Sequence, residues 1–345
     1  MNLDVVLANY FLNNRKGFEK LTTRALKHCL CSFCMKLLTI LIFFLVITSV
    51  SALNISKDQG EVRLYFCNHN NCSQGLISEL NQSSKLECAF YDMNIPSLVS
   101  VIKTKDYNLV LDKKLEEDNL FEKAFYLQQS AYMHHKFCII DNNKVLTGSM
   151  NPTRFGTQRN DNNFILIESE ILAQNYRNEL NYLLAKDSPK NINIFALNDF
   201  VIENYFCPRE CSIGINRLLK LINLSNKSIH VAAFSLTSEE IFLALIDAHE
   251  RGVEVNIIME KRMMNSKSSK FEILKTYGIN IIFDLNPGSM HHKFIVIDNE
   301  IVQFGSLNYS ENAIKRNNEN ILIIYNNQIA TAFVQEFERL WIKYS

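Results

Sequence analysis

Two histidines, His134 and His291, each stand two residues before a lysine, Lys136 or Lys293, and each pair opens the same string. Asp141 or Asp298 follows, then Gly148-Ser149-x-Asn151 or Gly305-Ser306-x-Asn308, so the second copy lies a constant 157 positions after the first. These residue types suit phosphoryl chemistry. A neutral imidazole can attack phosphorus, a protonated one can feed a proton to the departing oxygen, and ammonium groups can neutralise the non-bridging oxygens. One copy has too few groups for this. Two copies meeting about a pseudo-twofold axis would place two His, two Lys and two Asn around one phosphorus. A lone His-x-Lys would read as a structural turn with a satisfied core histidine, but six identities repeated in register do not.

The segments His135–Asp141 and His292–Asp298 (HKFCIID and HKFIVID) read as buried strands entering a turn. Side chains alternate along a strand, so His134 and Lys136 share one face, and so do His291 and Lys293. Asp141 and Asp298 point the other way, which gives them a structural part: fixing the loop by hydrogen bonds or pairing with a base behind the sheet. The same divergence argues against a metal at His134-His135 or His291-His292, and no metal or other cofactor is expected. Gly148 and Gly305 allow close backbone approach, and Ser149, Asn151, Ser306 and Asn308 can donate to phosphate oxygens.

The repeat extends beyond the motifs. Tyr65-Phe66-Cys67, Cys72, Leu80 and Cys88-Ala89-Phe90 parallel Tyr205-Phe206-Cys207, Cys211, Leu221 and Ala232-Ala233-Phe234. Cys67 to His134 spans 67 residues and Cys207 to His291 spans 84, so copy two carries 17 more, assigned to the Lys261–Lys270 loop and the helix after it. Strand and helix patterns alternate. In copy two, strands are predicted at Lys227–Phe234, Val253–Met259 and Ile279–Phe283, with helices at Ser238–Arg251 and Phe271–Tyr277. A strand (Asn163–Ile167, Asn320–Tyr325) and a long amphipathic helix (Ser169–Ala185, Gln328–Lys343) follow each motif. The fold class is therefore α/β: two repeats, each a mixed sheet flanked by helices, packed with pseudo-twofold symmetry. The plan is an amino-terminal segment 1–36, an apolar segment 37–53, repeat one at 61–185, a linker at 186–200 centred on Lys186–Asn191 (KDSPKN), and repeat two at 201–345.

Lys plus Arg and Asp plus Glu are 36 each, so no global basic field advertises a polyanion partner. Residues 1–52 hold six basic and two acidic residues, which leaves a mildly acidic body. Leu37–Leu53 (LLTILIFFLVITSVSAL) is too apolar for a surface helix. It reads either as one membrane anchor or as a secretory signal with Val50-Ser51-Ala52 as the cleavage site, possible even with Met35 as the start. Both readings keep the amino end cytoplasmic and export the body, secreted or anchored, with membrane contact through 37–53. The cysteines agree: Cys67 with Cys72 and Cys207 with Cys211 are candidate disulfides pinning strand-to-helix turns, and neither pair has the two-residue spacing usual for zinc. Cys88 and Cys138 read as simply buried.

The doubled His-x-Lys-x4-Asp-x6-Gly-Ser-x-Asn pattern resembles the phospholipase D superfamily, over nearly everything from residue 61 to 345. The resemblance implies a metal-independent two-step phosphodiester transfer in which one His forms a phosphohistidine and the other protonates the leaving oxygen and then activates water. Lys136, Lys293 and the Asn residues would hold the phosphate. It also implies a Glu 14 residues past the motif Gly that orients the His. Copy two has Glu319 there and copy one Asn162, so the two imidazoles are not expected to be equivalent. Family precedent favours the first copy as nucleophile; Glu319, taken as the partner of His291, favours the second. The compact repeats look like secreted endonucleases and small cardiolipin hydrolases, with nucleic acid placed just ahead of phospholipid as substrate. Arg154, Arg159, Lys261, Arg262, Lys267 and Lys270 are candidates for a local basic patch. No obligate protein partner is expected. An inactive member that only binds phosphodiesters or protein would show degraded motifs, and both are complete.

Overall fold

The computed structural model describes residues 55–67, 72–264 and 271–345. The expectations for residues 1–36 and 37–53, and for Lys267 and Lys270, lie outside them. Among the described residues, no helix is long and apolar enough to cross a membrane. The chain separates into Met1–Lys57 and Asp58–Ser345, and both repeats lie within the second unit.

Repeat one contributes β1 (Val62–Phe66), α1 (Cys72–Asn81), β2 (Lys85–Phe90), α2 (Pro96–Lys103), β3 (Asp106–Asp112), β4 (Phe125–Leu127), β5 (Lys136–Ile140), β6 (Lys144–Gly148), α3 (Arg154–Gln158), β7 (Asn163–Glu168) and α4 (Glu170–Ala185). Its sheet runs β1-β7-β6-β5-β2-β3-β4. Repeat two contributes β8 (Ile194–Leu197), β9 (Phe200–Cys207), α5 (Cys211–Leu224), β10 (Ser228–Ala233), α6 (Glu239–Glu250), β11 (Glu254–Met259), α7 (Phe271–Thr276), β12 (Asn280–Phe283), β13 (Lys293–Ile297), β14 (Ile301–Gly305), α8 (Glu311–Lys315), β15 (Glu319–Tyr325) and α9 (Asn327–Tyr344). The order β9-β15-β14-β13-β10-β11-β12 reproduces that of repeat one strand for strand. In each sheet the motif strand, β5 or β13, is central and antiparallel to both neighbours.

Phe137, Ile139 and Ile165 from one sheet and Phe294, Val296 and Leu322 from the other share one apolar core with Tyr176 and Leu180 of α4 and Phe333 and Phe337 of α9. On the outer face of sheet one, α1 and α2 bury Leu76, Leu80, Leu98 and Ile102 against Leu86, Leu109 and Ile140. Covering both faces accounts for the unbroken apolar runs in the central strands. Each fully buried side chain of this size contributes about 1.5–3 kcal/mol, and the motif strands are thereby fixed from both sides. Ser169 caps α4 by accepting from Leu172 N, and Asn326 caps α9 by accepting from Ile329 N.

Three expectations are corrected. The linker ends early, because Ile194–Leu197 forms β8 and pairs antiparallel with β9. The 17 extra residues are distributed: the offset between copies grows from 140 at Cys67 and Cys207 to 143 at β2 and β10, 148 at β3 and β11, and 157 at the motif, so the Lys261–Lys270 region holds only part of them. Cys88 and Cys138 face each other in register on β2 and β5 and are joined as a disulfide, besides Cys67–Cys72 and Cys207–Cys211.

Candidate active site

The turns after the motif strands are held as the alternation required. Asp141 and Asn142, like Asp298 and Asn299, adopt positive φ, a conformation that Asp and Asn tolerate best among residues with a side chain. The Asp141 carboxylate accepts from Ser84 N and Lys85 N at 2.8 and 2.9 Å; Asp298 accepts from Asn226 N, Lys227 N and Ser228 N at 2.9, 2.7 and 3.1 Å. Neither faces the imidazoles. Gly148 and Gly305, at φ 151 and 145, end β6 and β14 where an added Cβ would strike the backbone oxygen of Asn163 or Asn320.

The two repeats are stitched together beside the motif histidines. Met133 bridges Asn318 and Asp161 bridges Met290, while His134 N donates to Asn318 O and His291 N to Asp161 O. This crossing decides which group meets which imidazole. Nδ1 of His134 is bonded to Glu319 Oε2 at 2.8 Å, and Nδ1 of His291 donates to Asn162 Oδ1 at 2.8 Å. Each histidine is thus completed by the opposite half. The expectation that Glu319 orients His291 is overturned, and the carboxylate belongs to His134.

The serines also change roles. Ser149 Oγ donates to Asn162 Oδ1 at 2.9 Å and accepts from Asn163 N; Ser306 Oγ donates to Glu319 Oε2 at 2.6 Å and accepts from Asn320 N. Both are fully buried, so they brace the imidazole partners instead of facing a phosphate. Asn162 Nδ2 donates to Gly156 O, which fixes its oxygen as the group that accepts from His291. Asn151 and Asn308 differ: their Oδ1 atoms are buried without a hydrogen-bond partner, and both side chains remain candidates for holding substrate.

Lys136 and Lys293 are almost wholly buried, each donating to the carbonyl of its own motif histidine at 2.6 Å. Burial lowers Lys136 to about 7 and lowers Lys293 well below its usual value, with Lys136 adding to that second shift. Burial, then the two lysines, holds both imidazoles well below their ordinary range. Burial raises Glu319 to about 7 against the pull of Lys136. Without an anion the site thus resists its own positive charge. An anion bound there would supply the missing negative charge and favour the protonated forms of the lysines and imidazoles.

Residues that motif reading passed over surround this set. Tyr91 packs edge-on to His134 at 4.8 Å, and Phe234 to His291 at 5.4 Å. Behind them His135 is bonded to Glu179 at 3.0 Å, and Glu179 to Arg209; His292 is bonded to Glu336 at 3.2 Å, and Glu336 to Arg339. Asn163 Nδ2 donates to His292 Nδ1, so Nε2 carries the proton that Glu336 accepts. The counterpart Asn320 donates instead to Thr147 and Tyr176, and His135 Nδ1 stays buried without a partner. The available signal was the 157 spacing itself, which also relates Glu179 to Glu336 and Asn163 to Asn320.

Of the basic candidates, Arg159 lies against Phe155, and its carbonyl accepts from Asn286 in the approach to His291. Arg262 pairs with Glu260 at 2.6 Å and bonds to Ser289, while Arg154 and Lys261 are exposed. Among the described residues no group of three or more His, Cys, Asp or Glu is arranged to hold a metal ion.

Comparison with known proteins places this geometry. The human mitochondrial cardiolipin hydrolase is 32% identical over 145 residues, 40% of this chain and 58% of that protein, so the chain spans under two thirds of this relative's length. A phospholipase D of Rickettsia typhi (strain ATCC VR-144 / Wilmington) is 29% identical over 197 residues, 57% of this chain and 93% of that one. The phosphatidylserine synthase of Haemophilus influenzae Rd KW20 superposes with a TM-score of 0.62 over 84% of this chain and 89% of its own, at 14% identity, a likeness of fold. The family model described as "Cardiolipin synthase, PLD-like domain" matches residues 41–184 and 218–341, in step with the two repeats, and the chain belongs to the phospholipase D superfamily.

Proposed function

We propose that the chain is a metal-independent phosphodiester hydrolase with one site shared by both halves and His134 as nucleophile. The observation that carries this is the crossed pairing of His134 with Glu319 and His291 with Asn162. A carboxylate at Nδ1 fixes the tautomer that leaves Nε2 free to attack and supports the charge of a phosphorylated ring; an amide does this less well. In the first step a new bond forms from His134 Nε2 to phosphorus, the ester P–O bond breaks, and the leaving oxygen takes a proton from His291 Nε2. In the second step His291 accepts a proton from water, the hydroxide attacks phosphorus, and the N–P bond breaks. Lys136, Lys293, Asn151 and Asn308 hold the non-bridging oxygens throughout. The phosphate charge offsets both lysines and raises His291 into the protonated form that the first step requires.

For the substrate we place phospholipid ahead of nucleic acid, reversing the preference drawn from sequence. Support comes from the relatives named as cardiolipin hydrolase and phospholipase D, and from the exposed Phe155 ring (55% exposed) lying against Arg159. We also place the catalytic body in an oxidising compartment outside the cytoplasm, a reading that the three disulfides support. The test offers the purified chain cardiolipin, phosphatidylcholine, plasmid, single-stranded DNA and RNA, with and without EDTA, beside His134→Ala. EDTA-resistant, His134-dependent lipid cleavage is expected. Cleavage of nucleic acid alone would reverse the substrate order, and full activity in His134→Ala would overturn the mechanism.

A further inference from the structure

The two imidazole partners are anchored by different means, and among the described residues only one is tied to the last turn of α9. Asp161, immediately before Asn162, is fully buried, and its Oδ2 accepts from Tyr344 OH at 2.6 Å and from Asn286 Nδ2 at 2.9 Å. Arg339 Nη2 stands 4.0 Å from its Oδ1. The same residue grips the His291 strand through its backbone: Asp161 N donates to Ser289 O at 2.8 Å, and Asp161 O accepts from His291 N at 2.9 Å. Tyr344 closes α9, the helix whose Glu336 holds His292. Burial and the neighbouring Asp161 raise the Tyr344 phenol far above its ordinary range, so it stays protonated and donates. One helix thus reaches His291 by two routes, from behind through His292 and from the side through Asp161 and Asn162.

Repeat one lacks this tie among the described residues. Asn318 takes the place of Asp161, and its Oδ1 accepts from Gln129 at 2.6 Å. Arg209, from the turn between β9 and α5, serves Glu179 but packs over Tyr182, which stands where α9 has Arg339. No residue of α4 plays the part of Tyr344.

We propose that Tyr344, acting through Asp161, is a positioning residue for His291: the last turn of α9 sets the imidazole that delivers the leaving-group proton. The inference rests on the proposed hydrolase reading. An imidazole held by Nδ1 alone can swing about that bond, and a small misplacement of a proton donor costs heavily in rate. The phenol–carboxylate bond fixes the Asp161-Asn162 step and with it the direction of Nε2.

The experiment compares two phosphodiesters in the full chain: bis(p-nitrophenyl) phosphate, whose nitrophenolate leaves without a proton, and a lysophospholipid diester, whose alkoxide needs one. For Tyr344→Phe and Asp161→Asn, kcat/KM for the alkoxide substrate divided by that for the nitrophenyl substrate is expected to fall at least fivefold. Tyr325→Phe removes a bond of the same kind to Glu203 on the outer side of sheet two and is expected to leave the ratio unchanged. Equal loss on both substrates, or no loss on either, would overturn the proposal. NMR of the histidine rings gives a readout independent of turnover: Tyr344→Phe should move the Nδ1 resonance of His291 while that of His134 stays put, and an unmoved His291 would overturn the positioning role. Activity that survives His134→Ala would instead sink the hydrolase reading, a separate outcome.

Discussion

Around His134 the protein gathers a carboxylate and a tyrosine; around His291 it offers an amide and a phenylalanine. Lys114 lies 3.6 Å over the Tyr91 ring and pairs with Asp92 at 3.0 Å, whereas Phe234 has no hydroxyl and Arg262 turns to Glu260. Strand order is the same in both halves, so the difference resides in side chains. It teaches that duplication supplies the symmetry and substitution assigns the work. On the proposed mechanism the carboxylate supports an imidazole that becomes cationic, and the amide leaves the other imidazole to gain and lose a proton.

The most severe way to break this comparison is to remove the carboxylate. Glu319→Gln should lower kcat by about 10²–10⁴-fold, whereas Asn162→Ala, which removes a neutral acceptor, should cost about tenfold. Steady-state rates on whichever diester the purified chain cleaves decide it. The exchange Glu319→Asn with Asn162→Glu should transfer the trapped, base-stable phosphoryl label from His134 to His291, and a label that stays on His134 would show that the partner does not choose the nucleophile.

A second probe uses pH. Lys136 sits at about 7 in the free site and returns toward its ordinary value when an anion binds, so binding takes up a proton above pH 7. Affinity for dimethyl phosphate, whose own charge does not change in this range, should therefore weaken as pH rises above 7, by about tenfold per pH unit for each proton taken up. Calorimetry in buffers of different ionisation enthalpy counts the protons, and Lys136→Met should flatten the slope.

Smaller effects sharpen the contrast. Ser306 braces a carboxylate and Ser149 an amide, so Ser306→Ala should reduce kcat about tenfold and Ser149→Ala only about threefold, as charge-assisted and neutral hydrogen bonds differ. Least visible in turnover are the turns: Asp298→Ala should cost about 2–3 kcal/mol of stability and Asp141→Ala about 1–2, because one accepts three amides and the other two. Urea denaturation measures both, with little change in rate constants for the folded fraction.

Much of this plan is legible in the sequence. Strand alternation separates His134 and Lys136 from Asp141, and periodicity places β10, α6 and α9 within a residue or two of where they lie. What stays hidden depends on contacts between distant segments. Spacing alone puts Glu319 with the histidine of its own copy, and only the bridges at Met133–Asn318 and Asp161–Met290 carry it across to His134. Ser149 and Ser306 look available because a hydroxyl beside a glycine turn can face either way, and burial turns them inward. The Cys88–Cys138 bond needs the register of β2 on β5, which neither strand specifies by itself.

The crossing has a consequence for heredity. Because each imidazole is completed by the other half, a change at position 319 is felt at 134 and one at 162 is felt at 291, so neither repeat can drift alone. A chain cut within Lys186–Asn191 would lose a peptide bond and keep its reaction while the pieces stayed together; either piece by itself would have a histidine with nothing to lean on.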